Sequence, residues 1–136
     1  MLKVIKNQKY QTGKEVESAA GTGRREAVHS SIRHWRELAT APVKDLLSQS
    51  DPGFAARECA LCERYDAGCT TCPLFVKLGG VKCHKEGGLY HKALNIIRNI
   101  RNGSLGCTKA SRDRYIKQFR RAAEKLLNIL ISCLED

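Results

Sequence analysis

Five of the seven cysteines in this 136-residue chain fall between positions 59 and 83. Cys59-Ala60-Leu61-Cys62 and Cys69-Thr70-Thr71-Cys72-Pro73 are two C-x-x-C pairs, and a lone Cys83 follows them. That spacing lets one loop offer two thiolates to the same ion, and two such knuckles close a tetrahedral site with Zn–S distances of about 2.3 Å. Sulfur-rich tetrahedral sets favour zinc. An iron–sulfur cluster would also take four thiolates, but the spacing matches neither ferredoxin pattern. Five cysteines compete for four positions. One closed site uses Cys59, Cys62, Cys69 and Cys72. The other keeps Cys59, Cys62 and Cys72 and takes Cys83, an arrangement kept open by the short spacer between Cys62 and Cys69. His84 and His91 are reserve ligands, while Cys107 and Cys133 read as ordinary buried thiols.

Catalysis is not expected. A closed thiolate site leaves no open coordination position. Cys83-His84 are adjacent in sequence, which does not orient an imidazole onto a thiolate, and no third group is evident. His91 and Asn95, one helical turn apart, brush against the zinc-ribbon nucleases, yet the hairpin and the second inward histidine are missing. A redox role for the C-x-x-C pairs lacks its strand–helix–strand setting.

Charge supplies the second clue. The chain carries a formal net charge of +10. Residues 1–50 hold 9 basic and 5 acidic groups, 51–83 hold 4 of each, and 84–136 hold 11 basic and 5 acidic. The cysteine segment is thus neutral and the basic excess flanks it. A polyanionic partner follows, nucleic acid ahead of membrane. No apolar run approaches the roughly 18 residues of a membrane span, and lysines interrupt Leu2, Val4 and Ile5 with no secretory h-region following. Reduced thiolates on a metal, in a cytoplasm, fit these features better than disulfides.

The elements that must position these residues are helical. Val28, Ile32, Trp35 and Ala39 recur at three- and four-residue steps over 24–40, with Arg25, His29, Arg33 and Arg36 on the other side. Trp35 is expected in the core. Pro42 breaks this helix and 43–47 form a short second segment. Ser50-Asp51-Pro52-Gly53 reads as a turn into a metal module over about 54–88. A helix over 89–102 has the stripe Leu89, Ala93, Ile96, Ile97 and Ile100, with Gly103 as its C-terminal cap. Thr108 or Ser111 caps the last helix, which runs to about Leu134 with Tyr115, Phe119, Ala123, Leu126 and Leu130 on its apolar face. Arg112, Arg114, Lys117, Arg120, Arg121 and Lys125 crowd the first half of that helix. Cations belong at the other end of a helix dipole, so the cluster reads as a binding feature. Residues 1–23, with scattered lysines and Gly21-Thr22-Gly23, read as a flexible basic arm.

The run Ser31-Ile32-Arg33-His34-Trp35, with Cys59-Ala60-Leu61-Cys62, Tyr65, Cys69-Thr70-Thr71-Cys72-Pro73-Leu74, Cys83 and Leu89-Tyr90-His91-Lys92-Ala93, resembles a group of small uncharacterised tailed-phage proteins. The likeness covers roughly residues 28 to 134 and departs at Leu89, where those proteins carry proline. It implies a phage origin and a metal site, and no activity.

The expectation is therefore a mainly α domain over 24–136, of three main helices with an inserted zinc-thiolate knuckle module. It is expected to be non-enzymatic and to bind nucleic acid through Arg112, Arg114, Lys117, Arg120 and Arg121, aided by Arg33, Arg36, Arg98 and the N-terminal lysines. A phage-encoded inhibitor docking on a host protein, such as a defence-system nuclease, is the alternative, and a homodimer is compatible with either.

Overall fold

A computed structural model describes residues 10–47, 60–65, 72, 73, 77, 89–101 and 108–135. They are mainly helical, and no strand occurs among them. The helices are α1 (Gly13–Thr22), α2 (Arg24–Thr40), α3 (Val43–Leu47), α4 (Ala60–Arg64), α5 (Leu89–Arg101) and α6 (Lys109–Ser132), and α6 ends in a 3-10 turn, Cys133–Glu135.

The two longest, α2 and α6, run antiparallel and share the largest packing interface among the described elements. Arg24 Nη2 reaches the Cys133 carbonyl (3.1 Å) at one end, and Arg120 reaches the Ala39 and Ala41 carbonyls at the other. The predicted stripe Val28, Ile32, Trp35 and Ala39 is buried, with Trp35 1% exposed. It meets Ile116, Phe119, Ala123, Leu126, Leu127 and Leu130 of α6 in one core. α5 covers another flank of α6 and brings Ala93, Ile97 and Ile100 to the same core. Thr108 does cap α6, its hydroxyl accepting the Ser111 N–H at 3.1 Å. Pro42 starts α3 as expected, its carbonyl accepting from Asp45 and Leu46.

The expected arm is not where the fold stops. Residues 10–22 belong to the packed structure, with α1 against both α2 and α4. Val16 (1% exposed) and Ala20 (7%) enter the common core. The local signal is a capping box, Thr12-Gly13-Lys14-Glu15. Thr12 Oγ1 accepts the Glu15 N–H at 3.2 Å while the Glu15 carboxylate accepts the Thr12 N–H at 3.2 Å. Such a reciprocal pair starts a helix that composition alone reads as polar and loose. Residues 1–9 lie outside the described residues, as do most of the expected metal module, the turn at 50–53 and Gly103.

Three helix ends share one solution. None of α1, α2 and α6 carries a cation in its own last turn. Each receives an arginine from elsewhere: Arg64 donates to the Ala20 carbonyl (2.8 Å), Arg120 to those of Ala39 and Ala41, and Arg24 to that of Cys133. Terminal carbonyls without intrahelical partners are satisfied, and a positive charge meets the negative end of each dipole.

Candidate nucleic-acid interface and thiolate segment

The basic side chains named from the sequence separate into two groups. Arg33 lies between two carboxylates, with Nη1 at 2.6 Å from Glu15 and Nε at 3.0 Å from Glu37. Arg120 is half-buried, and both its bonds end on main-chain carbonyls, at 2.8 and 2.9 Å. Burial pulls its pKa down from the ordinary value, and its guanidinium stays charged all the same. These two arginines hold the fold together. Arg36, Arg114, Lys117 and Arg121 are exposed, Arg112 is half-buried, and Arg98 is exposed on α5, away from the α2–α6 seam.

The exposed group is carried by the two antiparallel helices α2 and α6. Arg25, His29 and Arg36 are exposed on α2, and Arg114, Lys117, Arg121 and Lys125 are exposed on α6. Glu26 of α2 and Asp113 of α6 are exposed carboxylates on the same two helices. Sequence reasoning found Arg36, Arg114, Lys117 and Arg121. It placed Arg25 and His29 on the basic face of α2 and Lys125 in the cluster on α6 without naming them as site residues, and the structure leaves all three exposed.

The carboxylates around Arg33 sit in contrasting environments. Glu15 is held below its usual pKa by the Thr12 backbone N–H and by Arg33. Glu37 is pushed up by burial, which outweighs the Gln11 N–H (2.9 Å) and Arg33. Gln11 also ties this corner to α2, its Nε2 donating to the Ser30 carbonyl at 3.3 Å and its Oε1 accepting from Ser30 Oγ at 2.5 Å.

Of the five clustered cysteines, Cys59, Cys69 and Cys83 lie outside the described residues, Cys62 is described only as part of α4, and Cys72 is buried in the core. Among the described residues no three metal-ligating side chains come together. What the structure does describe is the seat of the first C-x-x-C pair. Ala60 and Leu61, its two middle residues, are 0% and 1% exposed, and the Leu61 N–H donates to Ser31 Oγ of α2 at 3.3 Å. One turn beyond Ser31 stands His34, 5% exposed, edge-on to Trp35 with ring centroids 5.6 Å apart. Burial lowers its pKa to about 4, so the imidazole is neutral at pH 7. No helix among the described residues is long and apolar enough to cross a membrane.

No protein-family model matches the chain, and comparison with curated proteins and with solved structures finds no similar one. The functional reading therefore rests on the residues and their arrangement.

Proposed function

We propose that this is a non-enzymatic, zinc-stabilised protein that binds nucleic acid through the exposed cations of α2 and α6. The observation that carries the reading is the set of exposed basic residues on two packed antiparallel helices, Arg25, His29 and Arg36 on α2 and Arg114, Lys117, Arg121 and Lys125 on α6. Cationic side chains on two packed helices suit the phosphate backbone of a nucleic-acid strand or groove edge. The set contains no Phe, Tyr or Trp, and Trp35 is sealed in the core. Contacts are then mainly to phosphates, giving binding that is salt-sensitive and weakly sequence-specific. The thiolate segment is the structural metal site: zinc clamps a part of the chain joined to the core at Ala60, Leu61 and Cys72.

The test is fluorescence anisotropy with labelled DNA and RNA, single- and double-stranded, across a salt series. Reversing Arg36, Lys117 and Arg121 to glutamate should weaken binding at least tenfold. The slope of log affinity against log salt should flatten by roughly 0.7 to 0.9 for each phosphate contact removed. A change no greater than twofold, in a variant that melts like the parent, ends this reading.

A further inference from the structure

The cations of α6 are ordered around its axis. Successive residues step about 100° around a helix, which places Arg121 half a turn from Leu130, 0% exposed in the buried stripe with Phe119, Ala123 and Leu126. Arg121 therefore lies on the outermost line of the helix. Lys117 and Lys125 stand about 40° to either side of it by the same step, and all three are exposed. The carboxylates nearest this face, Asp113 and half-buried Glu124, lie along one border only.

The arginines of α6 differ in what they already hold. Arg120 caps α2, Arg112 is half-buried, and the Arg114 guanidinium lies over the Tyr115 ring at 5.4 Å. Arg121 is exposed and has no hydrogen bond or ion pair among the described residues, so its planar fork is open to a partner.

The partner that fits this face is duplex DNA. Sequence-tolerant binding of single strands relies on stacking against aromatic rings, and α6 offers none: Phe119 is 0% exposed and Tyr115 is half-buried beneath Arg114. The major groove of double-stranded RNA is too deep and narrow for side chains to read. The major groove of B-form DNA, about 12 Å wide, admits a helix about 10–12 Å across. From Arg114 to Lys125 the helix rises about 16 Å, the span of about five base pairs.

We propose that α6 enters the major groove of B-form DNA, with Arg121 donating two hydrogen bonds to O6 and N7 of a guanine and Lys117 and Lys125 meeting phosphates on the two walls of the groove. The residue types match these places, since a guanidinium fork fits the two guanine acceptors and an ammonium suits a phosphate as a point charge. The inference rests on the nucleic-acid reading above and deepens it by naming the duplex, the groove and the base. Phosphate contacts still supply most of the affinity, and Arg121 adds a preference for guanine.

Fluorescence anisotropy of the full chain with three labelled duplexes of equal length tests this. One holds only A·T pairs, one holds guanines throughout, and the third replaces each guanine by 7-deazaguanine, which keeps the pairing and the phosphates and lacks N7. The unaltered protein should favour the guanine duplex over the A·T duplex by roughly fivefold or more, and should lose most of that preference on 7-deazaguanine. Arg121→Lys should erase the preference with little change in salt slope. Lys117→Gln should keep the preference and flatten the slope by about 0.9. Equal affinity for the guanine and 7-deazaguanine duplexes, or tighter binding to single strands or RNA, overturns the groove assignment and leaves the nucleic-acid reading standing. Absence of binding to every nucleic acid removes both. The duplex comparison uses the unaltered chain and decides alone should a variant fail to fold.

Discussion

Arg120 of α6 donates to the Ala39 carbonyl at 2.8 Å, binding the longest helix to the end of α2. A second bond, to Ala41 at 2.9 Å, makes this cap a two-pronged one. Its neighbour Arg121 is exposed. Adjacent arginines thus have opposite assignments.

That contrast is measurable. Hydrogen bonds involving a charged group contribute about 1.5–3 kcal/mol each, and solvent screening of this half-buried side chain lowers the sum. Arg120→Gln should destabilise the fold by about 2 kcal/mol in chemical denaturation. Arg121→Gln should stay within about 0.5 kcal/mol of the parent and weaken nucleic-acid binding instead. Equal stability of the two variants would refute the capping role.

The first helix makes its own prediction. Val16 is 1% exposed and packs into the shared core. Val16→Ala should cost about 1–2 kcal/mol through lost burial and a small void. Removing residues 1–22 should lower the melting temperature sharply, because it uncovers apolar surface on α2 and α4 and takes away the Gln11 bonds to Glu37. A truncated chain that melts like the parent would mean that α1 is dispensable.

Arg33 lies between two carboxylates whose pKa values move in opposite directions. Glu15 is depressed, so its contribution to stability is present above its ordinary value and fades as pH falls toward the folded one. Glu37 is raised, so in the window just above its ordinary value the folded state holds the extra proton and stability falls as pH rises. Arg33→Gln removes a stabilising cation from both. Carboxyl-carbon NMR titration should show both pKa values moving up, Glu37 further from the ordinary range and Glu15 back toward it. Unmoved titration curves would show that the crowded geometry does not govern these groups.

Chelation tests the metal. A structural zinc site contributes its binding free energy to folding. Prolonged treatment with a strong chelator should therefore lower thermal stability, and adding back zinc should restore it. Tryptophan emission gives a convenient reading, since Trp35 is 1% exposed. A fold indifferent to metal removal would rule out the thiolate clamp.

Much of the helical architecture was legible in the residues. The stripe from Val28 to Ala39, the break at Pro42, the Thr108 cap and the apolar face of the last helix depend on spacing and local bonding, which a linear chain displays. The capping box at Thr12 and Glu15 was equally local, and its polar, glycine-containing context obscured it. The arginines were different. Crowded cations at the start of α6 read as a binding surface because they sit at the wrong end of their own dipole, yet Arg120 serves the carbonyl end of α2.

The sequence by itself determined which segments become helices, where they start, which face of each is apolar, and that five cysteines stand at metal-ligand spacing. The tertiary structure alone decided which arginines are consumed as caps and ion pairs, which cations stay exposed, and that the Leu61 N–H meets Ser31 one turn from the buried His34. The reason is range. Periodicity and capping act over one or two turns, whereas a carbonyl at residue 39 meets a guanidinium at residue 120 only after apolar burial has set two helices side by side.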